Sequence, residues 1–172
     1  MTVDAGRNEL IFNDVLNALE EGRSPIILTE RVAHVKLLAE MLQGFAKNII
    51  VLTGEMTNKE REKAFQRIEE ISPQEERLLI ATGKYIGEGF DDQRLDTLFL
   101  TMPIAWKGTL QQYVGRLHRE YDGKSEVRVY DYVDVKVPNL YKKYEKRLAG
   151  YKESGYILKN DAKEKSEQMK LF

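Results

Sequence analysis

Apolar residues along this chain follow two alternating rhythms. Short unbroken runs at Ile26–Leu28, Asn48–Leu52, Leu78–Ala81 and Thr97–Leu100 read as strands covered on both faces. Between them, apolar positions recur three and four apart. Asn8–Glu21 puts Ile11, Val15, Ala18 and Leu19 on one face and stops at Gly22. Val32–Gly44 does the same with Val35, Leu38, Ala39 and Leu42. Asn58–Ile71 is charged outside and turns Ala64, Phe65, Ile68 and Ile71 inward. A helix is expected from about Gly108 to Arg119, with Leu110, Val114 and Leu117 facing a core. Glu126–Val133 alternates, which predicts a strand near a sheet edge. Val137–Tyr151 predicts a last helix with Leu140, Tyr141, Tyr144 and Leu148 inward, so the tyrosines there read as core. Residues 1–6 read as a loose leader. The chain divides into one domain, 1–158, and a charged, flexible tail, 159–172.

Buried strands alternating with amphipathic helices predict an α/β fold: a doubly wound, mostly parallel sheet with helices on both faces. Ligands in such sheets gather at the carboxyl ends of the strands. Thr29-Glu30-Arg31, Thr53-Gly54, Thr82-Gly83 and the loop Gly87–Asp91 all fall there. Each also suits ordinary strand-to-helix turn chemistry.

Composition narrows the field. At 172 residues, 42% hydrophobic and 32% charged, the chain is long enough for one well-buried core. A net charge of −1 supplies no global field for nucleic acid, so any such contact must be local. With no cysteine and two histidines, disulfides and thiolate metal sites are excluded, a zinc site is unconvincing, and no metal ligands are expected. The absence of cysteine suits the cytoplasm. Neither a membrane-length apolar run nor a signal-peptide core is present, so no membrane partner is expected.

The strongest candidate chemistry is Gln111–Arg119, QQYVGRLHR. On a helix, Gln112, Arg116 and Arg119 share one polar stripe, with Gly115 beside it permitting close approach. Two arginines three apart form a clamp for a polyanion such as a triphosphate. Taken alone, the same stretch is equally an amphipathic surface helix with solvated charges. Gly87 and Gly89 let backbone approach a ligand closely, but the loop has neither GxGxxG nor GxxxxGK[ST] spacing. No GxxxxGK[ST], no DExx after a buried strand and no Ser/His/Asp arrangement occurs in the sequence.

LLIATGKYIGEGFDDQRLDTLFL followed by QQYVGRLHR resembles motifs V and VI of superfamily 2 helicases, in matching order and separation. SPIILTER resembles motif IV, and LTGEMTNKERE the segment called motif IVa. The likeness covers about residues 24–133. It is greatest to DNA-directed members, such as the motor subunits of type I and III restriction enzymes and related DEAD/DEAH-type DNA helicases, and DYVD at Asp131–Asp134 fits that group. DEAD-box RNA helicases usually carry His where Gln112 stands, so DNA is favoured over RNA.

The resemblance implies the C-terminal RecA-like lobe of an ATP-dependent helicase or translocase. ATP and Mg²⁺ would be held mainly by an N-terminal lobe, the expected partner along with DNA. Arg119 matches the arginine finger, Arg116 a second γ-phosphate contact, and Gln112 a residue that senses that phosphate or holds the arginines. Gly89 and Asp91 match positions near ATP. Thr53, Gly54, Arg61 and Thr82 match positions near the nucleic-acid backbone. The loop between Thr82 and Gly89 is one residue longer than in DEAD-box proteins, which leaves Gly87 and Glu88 unassigned. A lobe of this kind is not expected to hydrolyse ATP alone. The alternative is a non-catalytic nucleic-acid-binding or regulatory module of the same fold. A flavodoxin-like or methyltransferase-like domain would leave QxxGRxxR without a purpose.

Overall fold

Five parallel strands form the centre of the molecule, because each carries apolar side chains on both faces. The computed structural model describes residues 5–82, 92–101, 114, 117, 126–132, 138–159 and 170–171. Its elements are α1 (Ala5–Glu20), β1 (Pro25–Thr29), α2 (Val32–Leu42), β2 (Ile49–Leu52), α3 (Asn58–Glu70) and β3 (Leu78–Thr82). They are followed by β4 (Thr97–Leu100), β5 (Arg128–Asp131), α4 (Pro138–Glu153), β6 (Leu158–Lys159) and β7 (Lys170–Leu171). The strand order is β2-β3-β1-β4-β5-β7-β6. Pairing is parallel from β2 through β5 and antiparallel for β7 on β5 and for β6 on β7. This is the doubly wound, mostly parallel α/β sheet that the alternation predicts.

Side-chain alternation divides the core in two. Ile27, Ile80, Phe99 and Tyr130 face α1 and α2, meeting Ile11, Val15, Val35 and Leu38. Ile26, Leu28, Leu79, Leu98 and Val129 face the other way, with Val114, Leu117, Tyr151 and Tyr156. Helix α3 adds Ala64, Phe65 and Ile68 to this second layer but buries none of its residues completely. Its start is set by Thr57, whose Oγ1 accepts a bond from the Glu60 amide at 3.2 Å.

Three expectations need adjustment. Helix α1 begins at Ala5, inside the expected leader, and its Arg7 and Asn8 are buried. Strand β5 is flanked on both sides, by β4 and β7. Asp131, on the same face as Val127 and Val129, is fully buried against a cation. In the expected Gly108–Arg119 helix, Val114 is helical, but Leu117 already lies in a turn. Both are buried, as their spacing predicts.

Candidate functional site

The carboxyl edge of the sheet carries a row of hydroxyls. Thr29 and Thr82 are register partners at the ends of β1 and β3. Thr53 follows β2 and Thr101 follows β4, each one residue beyond a paired strand end. The row therefore runs Thr53, Thr82, Thr29, Thr101 across four adjacent strands, and all four residues are buried. By alternation these side chains lie on the α1/α2 side of the sheet.

The four differ in what holds them. Thr101 donates its hydroxyl to the Leu28 carbonyl at 2.9 Å. Thr29 Oγ1 lies 2.9 Å from His34 Nδ1, and His34 Nε2 lies 3.0 Å from Asn8 Oδ1. A carboxamide oxygen only accepts, so Nε2 carries the ring proton and Nδ1 accepts from the Thr29 hydroxyl. Burial and then the Arg7 cation lower the His34 pKa from 6.5 to about 4, which keeps the imidazole neutral. Thr53 is held through its backbone, the amide facing Met56 Sδ at 3.3 Å. Thr82 differs from the rest: its Oγ1 is buried and has no hydrogen-bond partner among the described residues. A buried hydroxyl without a partner is costly, and such a group suits a ligand atom.

Thr53 and Thr82 are neighbours at the ends of β2 and β3, Gly54 follows Thr53, and Arg61 stands in the first turn of α3, which packs in the core layer opposite the Thr82 side chain. Gly54 is exposed, its φ is not positive, and a Cβ there would meet nothing within 4 Å. The chain's own packing does not require glycine at this position. Arg61 is half-buried on α3, with its amide on the Thr57 carbonyl at 2.9 Å. Gln112, Arg116 and Arg119, and Gly89 and Asp91, lie outside the described residues, as do Gly87 and Glu88.

Sequence reasoning missed a buried ion pair on the opposite face. Arg147 of α4 donates Nε to Asp131 Oδ2 at 2.7 Å and Nη2 to Oδ1 at 3.0 Å. Tyr151 donates its hydroxyl to the same Oδ2 at 2.8 Å. Burial by itself would lower the Arg147 pKa, but the Asp131 carboxylate outweighs it and raises it. The available signal was a cation among the inward positions Tyr144, Leu148 and Tyr151 of α4. Tyr144 and Tyr151 are core residues, as their spacing predicts. Among the described residues no three His, Cys, Asp or Glu converge as metal ligands. No described helix is long and apolar enough to cross a membrane.

Comparison with known proteins agrees with this architecture. Residues 9–120 match the family described as helicase conserved C-terminal domain. A putative helicase, 161L, of invertebrate iridescent virus 6 is 30% identical over 161 residues, which is 90% of this chain and 35% of that protein. The transcript termination protein A18 of vaccinia virus (strain Ankara) is 25% identical over 122 residues, 70% of this chain and 24% of that protein. Among solved structures, T4 UvsW superposes with a TM-score of 0.64 at 18% identity, over 89% of this chain and 33% of UvsW. The chain thus spans about a quarter to a third of the length of these relatives. It belongs to the helicase conserved C-terminal domain family and shares the α/β fold seen in T4 UvsW.

Proposed function

We propose that this chain is the C-terminal lobe of an ATP-dependent nucleic-acid motor, a helicase or translocase acting on DNA. In this reading its strand ends grip a nucleic-acid backbone, and its QxxGRxxR stretch completes an ATP site on an N-terminal lobe. The observation that carries the reading is Thr82 Oγ1: buried, without a partner among the described residues, and beside Thr53 at the ends of adjacent strands. A hydroxyl and open backbone suit a phosphodiester, which they would position without reading sequence. Gly54 supports this, because nothing lies within 4 Å of its Cβ position and its backbone is open to an outside group.

Mg²⁺-ATP, when bound between the lobes, supplies the phosphoanhydride whose hydrolysis drives the motor. The residues here fit a supporting role at that site: the sequence has arginines but no GxxxxGK[ST], and no described carboxylate cluster suits the metal. Val114 and Leu117 anchor their segment in the core, which supports a polar face at Gln112, Arg116 and Arg119 turned away from it. Arg119 would act as the finger, Arg116 as a second contact, and Gln112 would hold them against the γ-phosphate. Gly89 and Asp91 would approach ATP. The preference for DNA rests on Gln112 and on Asp131–Asp134, which resemble DNA-directed motors.

Arg119→Ala, in the motor carrying both lobes, is expected to lower ATP turnover by roughly a thousandfold or more, as loss of an arginine finger does. Near-normal turnover would remove the finger assignment. Loss of nucleic-acid binding without any ATPase in the intact protein would favour the non-catalytic module instead.

A further inference from the structure

We infer that Tyr156 is a positioning residue for the Gln112–Arg119 segment, held in place by the buried ion pair on α4. The inference rests on the motor reading above and adds a residue that its motifs do not contain.

Tyr156 donates its hydroxyl to the Val114 carbonyl at 3.2 Å. Val114 is helical and buried, and this bond ties its backbone to a residue that follows α4. Val114 stands two residues from Gln112 and two from Arg116. A donor fixed at that carbonyl holds the backbone from which both run.

The donor is itself fixed. Helix α4 ends with the Tyr156 amide on the Tyr151 carbonyl at 3.0 Å and the Gly155 amide on the Lys152 carbonyl at 3.1 Å. Gly155 has φ +91°, so these bonds form a Schellman turn that needs glycine at this point. The turn folds Tyr156 back onto Tyr151, their ring centroids 6.1 Å apart at 68°. Tyr151 is held by Asp131 at the end of β5, and Asp131 by Arg147. Burial raises the Tyr156 pKa, which keeps the hydroxyl protonated and able to donate. A continuous path of contacts thus joins the end of the parallel sheet to the backbone of the arginine-bearing stretch. Rigid packing around these groups gives one hydroxyl control over the placement of an arginine several residues away.

Tyr156→Phe keeps the ring and removes the donor. In the motor carrying both lobes, kcat is expected to fall roughly three- to tenfold, the range for one hydrogen bond, with KM for ATP changed less than about twofold. In an Arg119→Ala background the same substitution is expected to cost nothing further, because Tyr156 acts through that arginine. In the 172-residue chain alone, amide exchange near residues 114–119 is expected to accelerate about three- to tenfold. An unchanged kcat, an equal loss added in the double variant, or unchanged exchange would each overturn the inference while the motor reading stands. Normal turnover in Arg119→Ala alone would instead remove the finger assignment and with it the positioning role, while exchange still decides whether Tyr156 orders this segment.

Discussion

The two ends of the parallel sheet are both polar, but they use polarity differently. At the amino end, arginines close on fixed partners. Arg23 donates to Thr97 Oγ1 at 2.6 Å, to the Glu126 carbonyl at 2.9 Å and to the Asp96 carbonyl at 3.1 Å. Arg94 bonds Ser24 and the Ser72 and Glu75 carbonyls, and Arg128 bonds Glu21 and Glu126. Arg77 pairs with Asp92 at 2.7 Å. These contacts tie β1, β4, β5 and the turns before them into one network. At the carboxyl end the groups are short hydroxyls, and the arrangement is incomplete at Thr82. Buried atoms without a hydrogen-bond partner among the described residues occur at both ends, Arg77 Nε and Nη2 at the amino end and Thr82 Oγ1 at the carboxyl end, so the ends differ in charge and in how many cross-strand contacts they make.

Breaking the amino end should have the largest effect on stability. Arg23→Met removes three charge-assisted bonds and is expected to cost about 3 kcal/mol, read as a shift in the urea midpoint. Nucleic-acid affinity below the unfolding transition should not change. A selective loss of binding would mean that this end also contacts the ligand.

An intermediate effect concerns the closed half of the carboxyl row. The His34 pKa is lowered from 6.5 to about 4 on folding, so the unfolded chain binds a proton that the folded chain excludes between those values. Stability is therefore fully present above the unfolded pKa of 6.5 and is lost as pH falls toward about 4. The loss should approach about 2 kcal/mol at pH 5, the scale set by 1.36 kcal/mol per unit. Denaturation at pH 7 and pH 5 measures it. A pH dependence of the same size in His34→Gln would show that other groups carry it.

The smallest effects sharpen the comparison most. Thr101→Val loses a satisfied hydroxyl and is expected to destabilise by about 1 kcal/mol. Thr82→Val removes an unsatisfied one and should be neutral or stabilising by about 1 kcal/mol, while weakening nucleic-acid coupling. Opposite signs for two threonines in one row would separate a structural hydroxyl from a ligand-facing one. Equal destabilisation would refute the distinction.

The sequence determined the strand–helix alternation, the inward faces of α1, α2 and α3, and the burial of Val114 and Leu117. Each depends on local periodicity, and periodicity is set by backbone geometry that neighbouring residues share. It also placed Thr53 and Thr82 at one edge, because strand ends in a parallel sheet meet there. What it could not reveal was which groups meet across the fold. Asp131 and Arg147 meet only because β5 and α4 pack together, and Tyr156 reaches Val114 only because the end of α4 turns it there. The four threonines were alike in sequence. Only the register of β1 through β4, with His34 brought in by α2 and Asn8 by α1, left the hydroxyls of Thr29 and Thr101 held and that of Thr82 without a partner among the described residues. Hydrogen bonds and ion pairs between distant segments depend on tertiary geometry, and no local pattern encodes them.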